Sequence, residues 1–189
     1  MLVPVLALAA CGGGGDGGEE DEIVETIETS ALSTDPADCS EAATLRFLEQ
    51  TNFREGKAAL QRCEADAKRG DSGNVEAVEV SNVEVEGSEA TADVAFEGGT
   101  FDGQTFSVVV VEEEGAWKMG EITGFAEFDQ ARFAEAVEEQ VTADAEGMDP
   151  QVLFCIGETF REMSRGELEE LVTAGREQPL EEIVVGCLR

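Results

Sequence analysis

The chain has 189 residues, 42% of them hydrophobic, enough for one good core or two small ones and too many for wholesale disorder. Its 43 acidic and 12 basic side chains leave a formal net charge of -31, which excludes a general nucleic-acid binder and repels anionic headgroups. His and Tyr are both absent, so Ser-His or Cys-His catalysis cannot arise within the chain, and without a C-x-x-C motif no tetrahedral zinc site is expected.

In chain order, residues 2–10 are apolar and uncharged. They are far too few to span a bilayer, which takes ~20 residues, and read as the core of a signal peptide. The run Leu8-Ala9-Ala10-Cys11 closes this segment. It resembles the lipobox of bacterial lipoproteins, in which a small residue precedes a cysteine that is lipidated and becomes the mature N-terminus. The resemblance implies that residues 1–10 are removed, that Cys11 carries the lipid, and that the protein sits outside the cytoplasm, held to the membrane through that lipid. Residues 11–22, glycine-rich and acidic, are expected to be a tether that cannot pack.

A helical period begins near Asp21, with Ile23, Ile27 and Ala31 on one face, and ends near Leu32. After the Ser33-Thr34-Asp35-Pro36 turn, Cys39, Ala42, Ala43, Phe47 and Leu48 predict one amphipathic helix that stops by Asn52. A third helix is expected over residues 56–68, with Leu60, Cys63 and Ala67 in line. From Gly73 the period becomes two and β-branched residues dominate. In a first strand over residues 75–85, Val78 and Val80 are out of phase with Val83 and Val85, so a bulge near Ser81-Asn82 is required. Ala90, Ala92, Val94 and Phe96 mark a second strand. Phe106, Val108 and Val110 mark a third, apolar on both faces and therefore central. A fourth opens at Ala116-Trp117-Lys118 and ends at Gly124. The connections are too short for parallel crossovers, so the sheet is an antiparallel meander.

Helices before Gly70, strands after it, and a last strand opening Gly115-Ala116-Trp117-Lys118 resemble the nuclear transport factor 2-like superfamily. That resemblance covers residues 23–125 and implies an α+β fold, with N-terminal helices packed on a curved, cone-like four-stranded antiparallel sheet. Its enzymatic relatives work through His, Tyr or Asp in the cone. Two of those residue types are missing here, so no catalytic residue carries over.

Residues 126–189 return to a helical period and predict a C-terminal bundle of short helices. Asp129 is the expected N-cap of the first, with Phe128 and Phe133 as a hydrophobic staple. Asp149-Pro150 starts the next, Ser164 and Glu167 form a capping box, and Pro179 opens the last. The run Asp144-Ala145-Glu146-Gly147-Met148-Asp149 superficially resembles a calcium loop, but its glycine comes fourth where an EF-hand needs it sixth. Neither metal nor cofactor is expected.

With Cys11 lipidated, four cysteines remain, an even set suited to an oxidising compartment. Four allow three connectivities. Cys39 and Cys63 lie on apolar faces of neighbouring helices in one half, and Cys155 and Cys187 do so in the other, which predicts Cys39–Cys63 and Cys155–Cys187. Each bond is worth on the order of 3 kcal/mol in the chain-entropy treatment. The functional expectation is a non-enzymatic, tethered domain binding an unidentified protein or small molecule, with Phe96, Phe106, Val108 and Trp117 walling a concave site. The competing expectation is an enzyme with an Asp or Glu base in the cone; a third gives the working surface to the C-terminal helices.

Overall fold

The computed structural model describes residues 16–70, 75–144, 149–175 and 177–188. Cys11 and the residues before it lie outside these, as does most of the calcium-loop look-alike. Four helices come first: α1 (Asp16–Leu32), α2 (Asp38–Glu41), α3 (Leu45–Asn52) and α4 (Lys57–Lys68). The strands β1 (Val75–Glu86), β2 (Glu89–Gly98), β3 (Thr105–Glu113) and β4 (Ala116–Glu127) follow, then α5 (Gln130–Asp144), α6 (Pro150–Glu162), α7 (Arg165–Ala174) and α8 (Glu177–Cys187). The fold is α+β. Among the described residues the strands form an antiparallel meander in the order β1-β2-β3-β4, with helices both before and after it.

Helix α1 begins at Asp16, inside the segment read as tether. Ile23 and Ile27 are completely buried and fix the helix, while Glu19, Glu20, Asp21 and Glu22 stay exposed on the turns before them. Carboxylates near a helix N-terminus meet the positive end of its dipole, so the acidic run extends the helix instead of melting it.

The single helix expected over Cys39 to Asn52 is two, α2 and α3, with a break at Ala42-Ala43-Thr44. Met119 N–H donates to the Ala42 carbonyl and Thr44 N–H to the Met119 carbonyl, both at 2.9 Å, so Ala43 bridges β4 in parallel. An open sheet edge presents unpaired N–H and C=O groups, and this short run pairs some of them. Thr44 also accepts from Phe47 N–H at 3.2 Å, capping α3.

In the sheet the predicted bulge is present: the β1–β2 register shifts between Ser81 and Glu84, with Asn82 at φ 52°. Val78, Val80, Val83 and Val85 consequently all pack against the core. Strand β3 is central, with Phe106, Val108 and Val110 buried. Strand β4 runs to Glu127, beyond the expected stop at Gly124, and its pairing with β3 shifts at three places. Gly120 stands at one shift, where a Cβ would come within 2.8 Å of the Val109 carbonyl oxygen.

The buried core is continuous from α1 through the sheet to α7, taking in Ile23, Val94, Met119, Ile122, Phe133, Ile156, Phe160 and Leu168. A file of phenylalanines joins the sheet to the C-terminal helices. Phe106 lies 4.7 Å from Phe125, Phe125 lies 6.1 Å from Phe133, and Phe133 lies 6.2 Å from Phe160 between ring centroids. The caps read from sequence are in place. Asp129 accepts from Arg132 N–H at 3.1 Å, Phe128 meets Phe133 at 6.1 Å, and Asp149 accepts from Gln151 N–H at 2.8 Å. The reciprocal Ser164–Glu167 box opens α7. Helix α8 starts at Glu177, so Pro179 sits within the first turn and does not open it. A first-turn N–H has no helical partner, so proline costs nothing there. Cys39–Cys63 and Cys155–Cys187 are both disulfides, with Cα separations of 6.0 and 5.6 Å.

Candidate functional site

Phe96, Phe106, Val108 and Trp117 all lie on the inner face of the sheet as core, with Phe96 and Phe106 in contact and Trp117, opposite Glu112, at the other end of β4. They are 6%, 0%, 1% and 5% exposed. Phe101, from the β2–β3 connection, packs edge-on against Phe96 at 5.9 Å and Phe106 at 4.9 Å, and Ile23 and Ile27 belong to the same cluster. The expected wall residues are covered because the chain's own side chains occupy the space in front of them.

The buried polar side chains among the described residues are Gln50 and Gln104, both fully inaccessible. Gln50 Nε2 donates to the carbonyls of Ile122 (2.8 Å) and Thr173 (2.9 Å), and its Oε1 accepts from Ile122 N–H at 2.7 Å. Its amide thus pairs with β4 as a strand residue would, and ties α3 to the end of α7. Gln104 repeats the device. It donates to the carbonyls of Asp102 (3.2 Å) and Asp129 (3.1 Å) and accepts from Asp129 N–H at 2.9 Å, fixing the junction of β4 and α5. The expectations named neither residue. Their signal was phase, since Gln50 stands three positions after Phe47 and Gln104 two before Phe106.

A surface depression of about 460 Å³ lies at the start of α5, lined by Asp102, Asp129, Ala131, Arg132, Glu135, Ala136 and Glu139. Arg132 Nε and Nη2 donate to Asp102 Oδ2 and Oδ1 at 2.8 and 3.2 Å, and Gly98 N–H donates to Oδ1 at 2.8 Å. The Arg132 hydrogen bond, helped by Gly98 N–H, holds the Asp102 carboxyl below its ordinary range; Asp102 in turn raises Arg132. Gly103, at φ 69°, leaves room for the guanidinium, since a Cβ there would fall 2.3 Å from Arg132 Cδ. The guanidinium is neutralised locally and the remaining lining carboxylates repel anions. The lining has no thiol, hydroxyl or imidazole to act as nucleophile or neutral-pH base.

Among the described residues no group of three or more Asp, Glu, Cys or His side chains is placed to hold a metal, and no helix is long and apolar enough to cross a membrane. The two disulfides fit a non-reducing, extracytoplasmic environment. The chain matches no protein family, no curated protein and no solved structure.

Proposed function

We propose that the protein is a lipid-anchored, extracytoplasmic lipoprotein whose folded part is a non-enzymatic binding or scaffolding domain of the nuclear transport factor 2-like type. The observation that carries the reading is the filled interior. The inward side of the sheet is packed with Phe96, Phe101, Phe106 and Trp117, and among the described residues the fully buried polar side chains are two glutamines committed to backbone. An enzyme using an Asp or Glu base needs a desolvated carboxylate in that interior. Binding by outer surfaces needs only a rigid body, which the continuous core supplies.

Cone-like curvature is supported by the position of α1, which packs on β1 and β4, the outermost strands. A sheet wrapped around the helix brings both edges within reach, and the shifts along β4 are where such bending is absorbed. Lipid attachment rests on Leu8-Ala9-Ala10-Cys11 and on the two disulfides, which suit an exported chain.

Cell fractionation tests the anchor. The native protein is expected in the membrane fraction and the Cys11→Ala variant in the soluble one; retention of the variant in the membrane overturns the lipoprotein reading. Carboxylate titration by carbon NMR tests the domain's role, because an Asp or Glu titrating above about pH 6 is the mark of a tuned base and moves the assignment to the enzyme.

A further inference from the structure

Large apolar side chains exposed among the described residues are Leu45, Phe154, Val185 and Leu188. All but Leu45 lie within two positions of a cysteine of the Cys155–Cys187 bond. The two cysteine Cα atoms are 5.6 Å apart and consecutive Cα atoms 3.8 Å apart, so the Cα atoms of Phe154 and Leu188 are within about 13 Å. Each cysteine of the bond therefore has an exposed apolar neighbour in the chain, Phe154 beside Cys155 and Leu188 beside Cys187.

The two disulfides differ in what else holds their helices. Cys39 is 5% exposed, α2 runs directly into the 42–44 segment bonded to β4, and α4 buries Ala59 and Ala67. Breaking Cys39–Cys63 leaves both helices with other attachments. Cys155 and Cys187 are both half-buried. Helix α8 packs on α6, and Leu180, Ile183 and Val184 are only partly covered; none of its described side chains is buried. With 11 residues it is too short to persist as a helix without support.

We infer that Cys155–Cys187 is a thiol–disulfide exchange site for a dithiol reductant, and that its opening releases α8 while Cys39–Cys63 stays closed. A thiolate of the reductant attacks one Sγ of the pair; the S–S bond breaks, and the other Sγ leaves as a thiolate that takes up a proton. The reductant's second thiol then displaces the mixed disulfide. Two electrons and two protons pass to the protein, giving thiols at Cys155 and Cys187, and the reductant becomes a disulfide. Phe154 and Leu188, the exposed residues next to the two cysteines, offer such a reductant apolar contacts near the bond it attacks. Release of α8 uncovers the face of α6 around Cys155, and reoxidation reseats it.

Titration of the folded, oxidised protein with dithiothreitol, followed by N-ethylmaleimide and peptide mass mapping, tests the site. The expected result is a range of reductant in which Cys155 and Cys187 carry label and Cys39 and Cys63 do not. Within that species, hydrogen exchange over residues 177–188 rises at least tenfold while β2 and β3 are unchanged. The Cys155→Ser/Cys187→Ser variant is expected to show the same exchange pattern without reductant. Opening of Cys39–Cys63 first, opening of both bonds together, or an α8 still protected in the two-label species and in the variant overturns the inference.

Discussion

Gln50 does the work of a strand residue from a helix. Its amide exchanges two hydrogen bonds with Ile122, in a region where water cannot replace them. Gln50→Ala strips a buried N–H and two carbonyls of their partner and leaves a cavity, an expected loss of about 2–4 kcal/mol. Urea unfolding with an unchanged m-value is the measurement, and a loss under about 1 kcal/mol would show that the amide contributes little. Gly175 backs the same contact. At φ 62° it ends α7, and a Cβ there would meet the Gln50 N and Cα atoms at 2.7 Å. Gly87, at φ 69° in the β1–β2 turn, has nothing within 4 Å of a Cβ. Alanine is strained in backbone at both positions, by about 1 kcal/mol, but only at Gly175 must the backbone of α3 also move. Gly175→Ala should therefore cost roughly 2 kcal/mol more than Gly87→Ala. The phase of Gln50 and Gln104 was readable in the sequence. Their partners were not, because the Ile122 group that Gln50 bonds lies 72 positions away and periodicity carries no such information.

At the scale of elements, the two disulfide pairings and the meander order were legible, and the other legible features were local ones. Caps, the Phe128–Phe133 staple and the β1 bulge depend on residues within a few positions of each other, and all stand where the pattern put them. The break between α2 and α3 depends on the edge of β4, whose Gly120 carbonyl accepts from the Thr44 hydroxyl 76 positions away. No period within residues 39–52 shows it. One turn is also less than ideal. Glu114 and Gly115 join β3 to β4 with φ of 56° and 84°, the two-residue pattern that favours Asn-Gly. Glu114→Asn is expected to stabilise the protein by about 0.5–1 kcal/mol, read as a rise in melting temperature. Glu114→Gln, which removes the same charge, separates turn geometry from charge; an equal gain in both would discard the geometric account. Asp102–Arg132 ties the β2–β3 connection to α5, and its sign follows from the lowered Asp102 carboxyl. The pair's contribution is present above the unfolded value of about 3.9 and is lost as pH falls through the lower folded value. The stability gap between the native chain and Asp102→Asn should therefore be full at pH 7, close under strong acid, and narrow with salt because the pair is solvent-accessible.

For the whole molecule the governing quantity is the net charge of -31. On the outward side of β1 and β2, Glu79, Glu84, Glu89 and Glu97 are exposed in alternation with residues that pack inward. Surface ion pairs such as Arg161 with Glu138 and Glu158 offset this only locally. Like charges spread over one rigid body repel at long range, and the compact state bears more of that repulsion than the unfolded chain. The screening length falls from about 30 Å at 0.01 M salt to about 3 Å at 1 M, so most of the repulsion is removable by simple electrolyte. The melting temperature should climb by several degrees between those limits. It should climb equally in sodium and potassium chloride, because diffuse screening does not distinguish them. Calcium chloride at low millimolar concentration discriminates further. A general solvating surface responds in proportion to ionic strength and valence, with no saturation, whereas a built cation site saturates and stabilises sharply at low concentration. A saturating calcium response would show that the acidic residues form a specific site and would displace the solvation account of the charge. A graded response would leave charge as a constraint on partners, restricting those that dock on this surface to neutral or basic ones.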